Sequence, residues 1–477
     1  MPVNSFDSYP LTWKPDKASL QTPYCRSLAE DLEKNIRSGR LQAGTKLPPQ
    51  REIADYLDLN YTTITRVYET CKKKGLVYGV VGRGTFVAPH ATEETALISG
   101  DPREPYIELG AVNGFSEYSA LVEEATSAVI EKGYLRDLYA YSYPAGHPHQ
   151  LAAGMRWMEQ LGVHPKEENV AIFSGAQNAL TVMMLSLFSP GDRIATDFYT
   201  YSNFMELAKL LRIVLIPVEG DGEGMRPDAL EQQCRLNRLQ GIYLMPAYAN
   251  PTTVTVPLSR RRDLADVIRR NHLILMEDDI AAWLQASEQK TIPSMYDLLD
   301  GRSIYICGMS KSLCPGLRIA YAAFGGEYRK QILHGLANIN IKTSSFDAEV
   351  ITELILSGAA YKIAEQKRRM TRKTGKIFTD LFGDILPDSG REGYFRWVPI
   401  ATREPAAVVE KDLLRRGIRV YHSQRFSAAQ EEDRHYLRVA LCSAGSPTKL
   451  ESGLHTLRTW MEETGEIPLE ASPKSCS

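Results

Sequence analysis

The stretch GMSKSLCPGLRIAY, residues 308–321, holds Lys311 between Ser310 and Ser312, with Arg318 seven residues further on. A lysine amine can add to a carbonyl, and a guanidinium can hold an anion. Three other polar clusters each close an apolar run: SGAQ (Ser174, Gly175, Ala176, Gln177) after VAIF, NPTT (from Asn250) after IYLMPAYA, and EDD (Glu277, Asp278, Asp279) after LILM. Small residues that open a helix leave free N–H groups suited to a phosphate. Each cluster alone has an ordinary reading as a solvated lysine or a plain turn. Their order along the chain, each at the end of an apolar run, is what points to chemistry.

The elements that must position them follow from Ile107 onward, where apolar runs alternate with amphipathic stretches: VAIF, DRIATDF, RIVLIPV, GIYLMPA, LILMEDD, SIYICGM and YAAFGG. Strands separated by helices predict an α/β body with a mostly parallel sheet. In such sheets ligands collect at the carboxyl ends of the strands. A helix-start phosphate site, an acid, a turn asparagine and a lysine on successive strand ends together meet the needs of pyridoxal 5'-phosphate. That group requires an amine for its aldehyde, an acid for its pyridine nitrogen and a cradle for its phosphate.

The front of the chain is different. The net charge is −2, yet residues 1–90 carry thirteen Lys or Arg against nine Asp or Glu, so a basic front precedes an acidic body. Leu28, Leu32 and Ile36 recur every four residues in YCRSLAEDLEKNIRSG, predicting a helix with Gly39 as its stop. A short helix fits after Pro48 and Pro49. Another fits NYTTITRVYETCKKKG, with Asn60 as N-cap, Gly75 as its end, and Ile64, Val67, Tyr68 and Cys71 turned inward. Thr62, Thr63, Thr65, Arg66 and Lys73 then lie on or near the open face. LVYGVVGRGTFVAP reads as a hairpin around Gly82-Arg83-Gly84. Residues 90–105 are polar and without periodicity, a tether of about 20 to 25 Å. The chain therefore divides into residues 1–89, a linker at 90–105 and a body at 106–477.

Seven scattered cysteines without a C-x-x-C pair fit reduced thiols, and neither a disulfide framework nor a metal site is expected. No secretory leader or long apolar run is evident, so a cytoplasmic protein without a membrane partner is expected.

From Pro23 to Val87 the chain resembles the winged helix-turn-helix of GntR regulators, through LPPQRE, Thr63, the Lys-rich end before Gly75-Leu76 and the GRGTFV wing. The resemblance implies double-stranded DNA as partner. Arg51 would clamp phosphate, the helix from Tyr61 with Thr62, Thr63 and Arg66 would enter the major groove, and Arg83 would follow the backbone or minor groove. Tyr61 departs from the arginine that many relatives carry there.

From about residue 107 to 465 the body resembles fold type I aminotransferases. The resemblance implies that Lys311 forms the internal aldimine, that Asp278 (or Asp279) pairs with the ring nitrogen and that Arg318 binds the phosphate. Ser174, Gly175, Ala176, Gln177 and Ser310 join the phosphate cradle. Tyr201, or Tyr199 by a shifted alignment, stacks on the ring. Asn250 bonds the ring hydroxyl, Tyr141 reaches the neighbouring subunit's cofactor, and Arg438 of HYLRVAL takes an α-carboxylate. Ile280 stands where the family often has tyrosine, and Gly308 where a hydroxyl residue is common.

The combination is similar to the MocR subfamily. It implies a transcription regulator in which an amine-bearing, carboxylated, amino-acid-like effector forms an external aldimine at Lys311, in a homodimer with exchanged DNA-binding domains. The alternative is an active aminotransferase carrying a DNA-binding domain; a third possibility is that pyridoxal phosphate is itself the signal.

Overall fold

Apolar residues four apart explain the first helix, α1 (Tyr24–Arg37), which buries Leu28, Leu32 and Ile36. The computed structural model describes residues 11–17, 20–37, 40–41, 44–73, 76–80, 83–88, 106–115, 119–285, 292–386, 392–401, 404–429 and 434–466. The chain divides into two units, Met1–Ala96 and Leu97–Ser477. Gly39, Gly75, Gly82 and the tether expected at 90–105 lie outside the described residues.

In the first unit α2 (Gln50–Leu57) starts after Pro49, and α3 (Tyr61–Lys73) starts after Asn60. Asn60 Oδ1 accepts the Thr62 N–H at 3.0 Å, satisfying a donor that the first helical turn leaves free. Ile64, Val67, Tyr68 and Cys71 are buried against α1 and α2. An antiparallel hairpin, β1 (Val77–Val80) and β2 (Gly84–Val87), forms the wing. The sequence reading missed Trp13, which is buried in the same core and donates Nε1–H to Asp31 Oδ2 at 2.9 Å.

The second unit is built on seven strands: β3 (Val170–Phe173), β4 (Arg193–Asp197), β5 (Val214–Val218), β6 (Gly241–Leu244), β7 (Ile274–Asp279), β8 (Ile304–Gly308) and β9 (Ala320–Phe324). Their order in the sheet is β3-β9-β8-β7-β6-β4-β5. Only β9 runs against the others, pairing antiparallel with β8 and β3. Each strand occupies one of the apolar runs. β3, β6 and β9 are buried at every position, as strands covered on both faces must be.

A smaller antiparallel sheet follows. His435–Ala440 lies between Phe395–Ile400 and Tyr421–His422, with Arg438 directly opposite both Trp397 and Tyr421. The long helix Ala359–Phe382 packs on the helix Pro447–Thr464 beside it.

Candidate functional site

β7 carries two adjacent carboxylates, and the strand pleat sends them to opposite faces. Asp279 is satisfied inside the fold: its Oδ1 accepts the N–H groups of Ala281 and Ala282 at 3.1 and 2.7 Å, and its Oδ2 accepts from the Tyr305 hydroxyl. Asp278 Oδ2 accepts from the Tyr243 hydroxyl at 2.7 Å, while Oδ1 is buried without a partner. Burial pushes the Asp278 carboxyl up to about 7. A buried acceptor with no donor costs stability, so this atom marks a place for a ligand's N–H. Tyr243, whose ring stacks on Phe204 at 3.8 Å, was not foreseen. The signal for it was a tyrosine inside an otherwise apolar strand, since a buried phenol needs a partner.

β8 ends at Gly308 and passes into a one-turn helix, Met309–Ser312, that carries Lys311. Lys311 Nζ donates to Val112 O. Burial holds this amine below the usual lysine range; Arg438 and Arg318 add to the effect and Cys442 opposes it. A depressed pKa enlarges the neutral, nucleophilic fraction at neutral pH.

Gly175, with φ +89°, caps the helix Ala176–Leu187. Its own N–H donates to Phe173 O at 2.8 Å, so the donors open to an anion at this helix start begin with those of Ala176 and Gln177. What Gly175 contributes is room: a Cβ there would lie 2.5 Å from Arg318 Nη2. Arg318 Nη1 in turn donates to Ser310 Oγ at 3.1 Å, which draws Gly175, Ser310 and Arg318 into one cradle. Arg318 itself sits at φ +51°, a left-handed conformation of the kind that functional sites retain. Ser174 Oγ accepts from Asn340 Nδ2 at 2.8 Å and donates to Thr343 Oγ1 at 3.4 Å, two partners the sequence did not suggest. Gln177 Nε2 donates to Asn203 O at 3.4 Å, and its Oε1 is buried without a partner.

Arg438 is 1% exposed. Its Nη1 donates to Asn250 Oδ1 at 2.9 Å and its Nη2 to Gly110 O at 2.6 Å, while Nε is buried without a partner. The rings of Phe426, Tyr421 and Phe395 surround the guanidinium at 4.5, 5.6 and 5.6 Å. Tyr201 belongs to the same cluster. Burial and the Asp278 charge push its phenol up to about 12, with Arg438 and Arg318 opposing. Tyr199 packs elsewhere, edge-on to Trp397 and Tyr436 at 5.1 and 5.7 Å. Tyr141 is 86% exposed and is not gathered into this chain's cluster. In the first unit Arg51, Tyr61, Thr62, Arg66 and Arg83 are exposed, and Thr63 is half-buried.

Residues 108–457 match the aminotransferase class I and II family, and residues 25–87 the gntR family of bacterial regulatory proteins. An uncharacterized HTH-type transcriptional regulator of Bacillus subtilis (strain 168), YdeF, is 32% identical over 464 residues, which is 97% of this chain and 100% of the relative. The probable rhizopine catabolism regulatory protein MocR of Rhizobium meliloti is 25% identical over 496 residues, 95% of this chain and 98% of its own. The chain belongs to the MocR subfamily of GntR-type transcription regulators. An archaeal alanine:glyoxylate aminotransferase shares the fold of this MocR-type body, with a TM-score of 0.70 at 22% identity over 75% of this chain and 91% of the other.

The winged-helix unit of this MocR-type regulator is a DNA-binding domain, and the cofactor of its aminotransferase family is pyridoxal phosphate. The residues present fit that cofactor. The unpartnered Asp278 Oδ1 can accept a pyridine N–H, and the close approach of Arg318 to Gly175, beside the N–H groups of Ala176 and Gln177, suits a phosphate. Among the described residues no helix is long and apolar enough to cross a membrane.

Proposed function

We propose that this regulator holds pyridoxal phosphate at Lys311 and senses there an amine-bearing, carboxylated effector, which changes how a homodimer presents its winged-helix units to a DNA operator. The observation that carries the reading is the unpartnered Asp278 Oδ1, clustered with a depressed lysine amine, an arginine cradle and a buried second arginine. When bound, pyridoxal phosphate supplies an aldehyde at which Lys311 and an incoming amine compete, and a ring that draws electrons.

The chain's own residues do the rest. Asp278, its Oδ2 held by Tyr243, keeps a proton on the ring nitrogen. Arg318, Ser310, Ser174 and the N–H groups of Ala176 and Gln177 hold the phosphate, with Tyr201 against the ring face. Arg438 fixes Asn250 Oδ1 and so leaves Nδ2 to donate to the ring hydroxyl. The same arginine has an unpartnered Nε for an effector carboxylate. The exposed Tyr141 is free to serve a second subunit. The test is the absorbance of loaded protein against a panel of amines and amino acids, read in parallel with operator affinity. A spectral change tied to a change in affinity is expected; no coupled response to any amine counts against the reading.

Two smaller predictions arise here. A Cβ at Gly308 would meet Ala176 Cβ at 3.5 Å, an ordinary contact, so Gly308→Ser fits. Its hydroxyl should strengthen pyridoxal phosphate binding by about three- to ten-fold, read by absorbance titration. In the DNA-binding unit, Arg51→Ala and Arg66→Ala should each weaken operator binding. A lost phosphate contact lowers the salt slope by about 0.9, whereas a lost base contact relaxes sequence preference. Unchanged affinity in both variants would remove α3 as the reading helix.

A further inference from the structure

The one-turn helix that carries Lys311 cannot satisfy its own last carbonyls. In a continuing helix Lys311 O would accept the N–H of residue 315, but that residue is Pro315, which has none. Two side chains distant in sequence supply the missing donors. Lys367 Nζ, from the long helix Ala359–Phe382, donates to Lys311 O at 3.1 Å and to Leu313 O at 2.6 Å. The Tyr394 hydroxyl, just before the small sheet, donates to Lys311 O at 2.8 Å. Lys367 is 1% exposed and Tyr394 4% exposed, so both bonds are shielded from water, where a hydrogen bond is electrostatically stronger than in solvent.

We propose that Lys367, assisted by Tyr394, is a positioning residue for Lys311: it caps the truncated helix and so sets where the Lys311 amine stands relative to the cofactor. The inference rests on the reading that Lys311 is the residue that takes pyridoxal phosphate. The same bond ties the lysine turn to a helix whose Phe378 and Phe382 share a core with Val398, Leu437 and Val439 of the small sheet.

The experiment compares wild type, Lys367→Met, Lys367→Arg and Tyr394→Phe in the full chain. Each is titrated with pyridoxal phosphate by absorbance, the pH midpoint of the resulting chromophore is measured, and covalent capture is mapped by borohydride reduction and peptide mass. Lys367→Met should weaken binding about ten-fold and move the midpoint, Lys367→Arg should recover part of both, and Tyr394→Phe should show a smaller change in the same direction. A purely structural lysine would lower thermal stability without moving the midpoint. Should Lys367→Met fail to fold, Tyr394→Phe, which deletes one oxygen, carries the test. Unchanged affinity and midpoint in the variants that fold overturn the proposal while leaving the Lys311 reading intact. Wild-type capture at any lysine other than Lys311 overturns both.

Discussion

Lys311→Ala is expected to abolish covalent retention of pyridoxal phosphate and with it every spectral response to amines. The amine stands on a single helical turn at the end of β8, its pKa lowered first by burial and then by Arg438 and Arg318. Alanine leaves the phosphate cradle and the Asp278 carboxylate in place, so weak non-covalent binding should persist, reduced by roughly a hundred-fold or more, equivalent to about 3 kcal/mol. Borohydride reduction and peptide mapping of the wild type against the variant check this. Equal covalent capture in Lys311→Ala, or wild-type capture at another lysine, sinks the assignment. Operator binding by the cofactor-free variant should remain, because the DNA-binding domain is the other unit.

Arg438→Ala should weaken effector binding by roughly ten- to a hundred-fold, the range of a charge-assisted bond in an enclosed site. Its guanidinium is held flat among Phe426, Tyr421 and Phe395 and bonded to Asn250 Oδ1 and Gly110 O. Arg438→Lys should recover only part of the loss, because an ammonium cannot reproduce a planar fork that meets two oxygens and still offers a third donor. The variant should also lower cofactor affinity slightly, since Asn250 loses the partner that orients its amide. Titrating effector with absorbance as readout decides the matter: equal affinity in wild type and Arg438→Ala would mean that the effector carries no carboxylate or that this arginine does not touch it.

Much of this was legible in the order of residues because secondary structure depends on local periodicity. Apolar runs of strand length marked all seven strands; SGAQ and SK follow their strands and EDD closes its own, while NPTT begins six residues beyond Leu244. The same periodicity marked α1 and the inward face of α3. Trp13 was not legible, because nothing near it in sequence shows that it enters the core of the first unit.

By itself the sequence determined the seven strands of the central sheet, the helices and hairpin of the first unit, that two units follow one another, and which chemical groups follow those strands. Only the tertiary structure decided which of those groups are open to a ligand. Asp278 and Asp279 are neighbours of one type, and what separates them is Tyr243 on one side and Tyr305 with two backbone N–H groups on the other. Tyr201 feels the charges of Asp278 and Arg438, while the Tyr199 ring packs edge-on to Trp397. Gly175 needs to be glycine because its backbone sits at φ +89°, and a Cβ there would also push the Arg318 guanidinium aside. Arg438, on a strand whose alternation would suit a half-exposed position, is buried against an asparagine 188 residues away. The physical reason is common to all four. Periodicity is set by neighbours along the chain, whereas desolvation and hydrogen-bond partners are set by residues that only folding brings close.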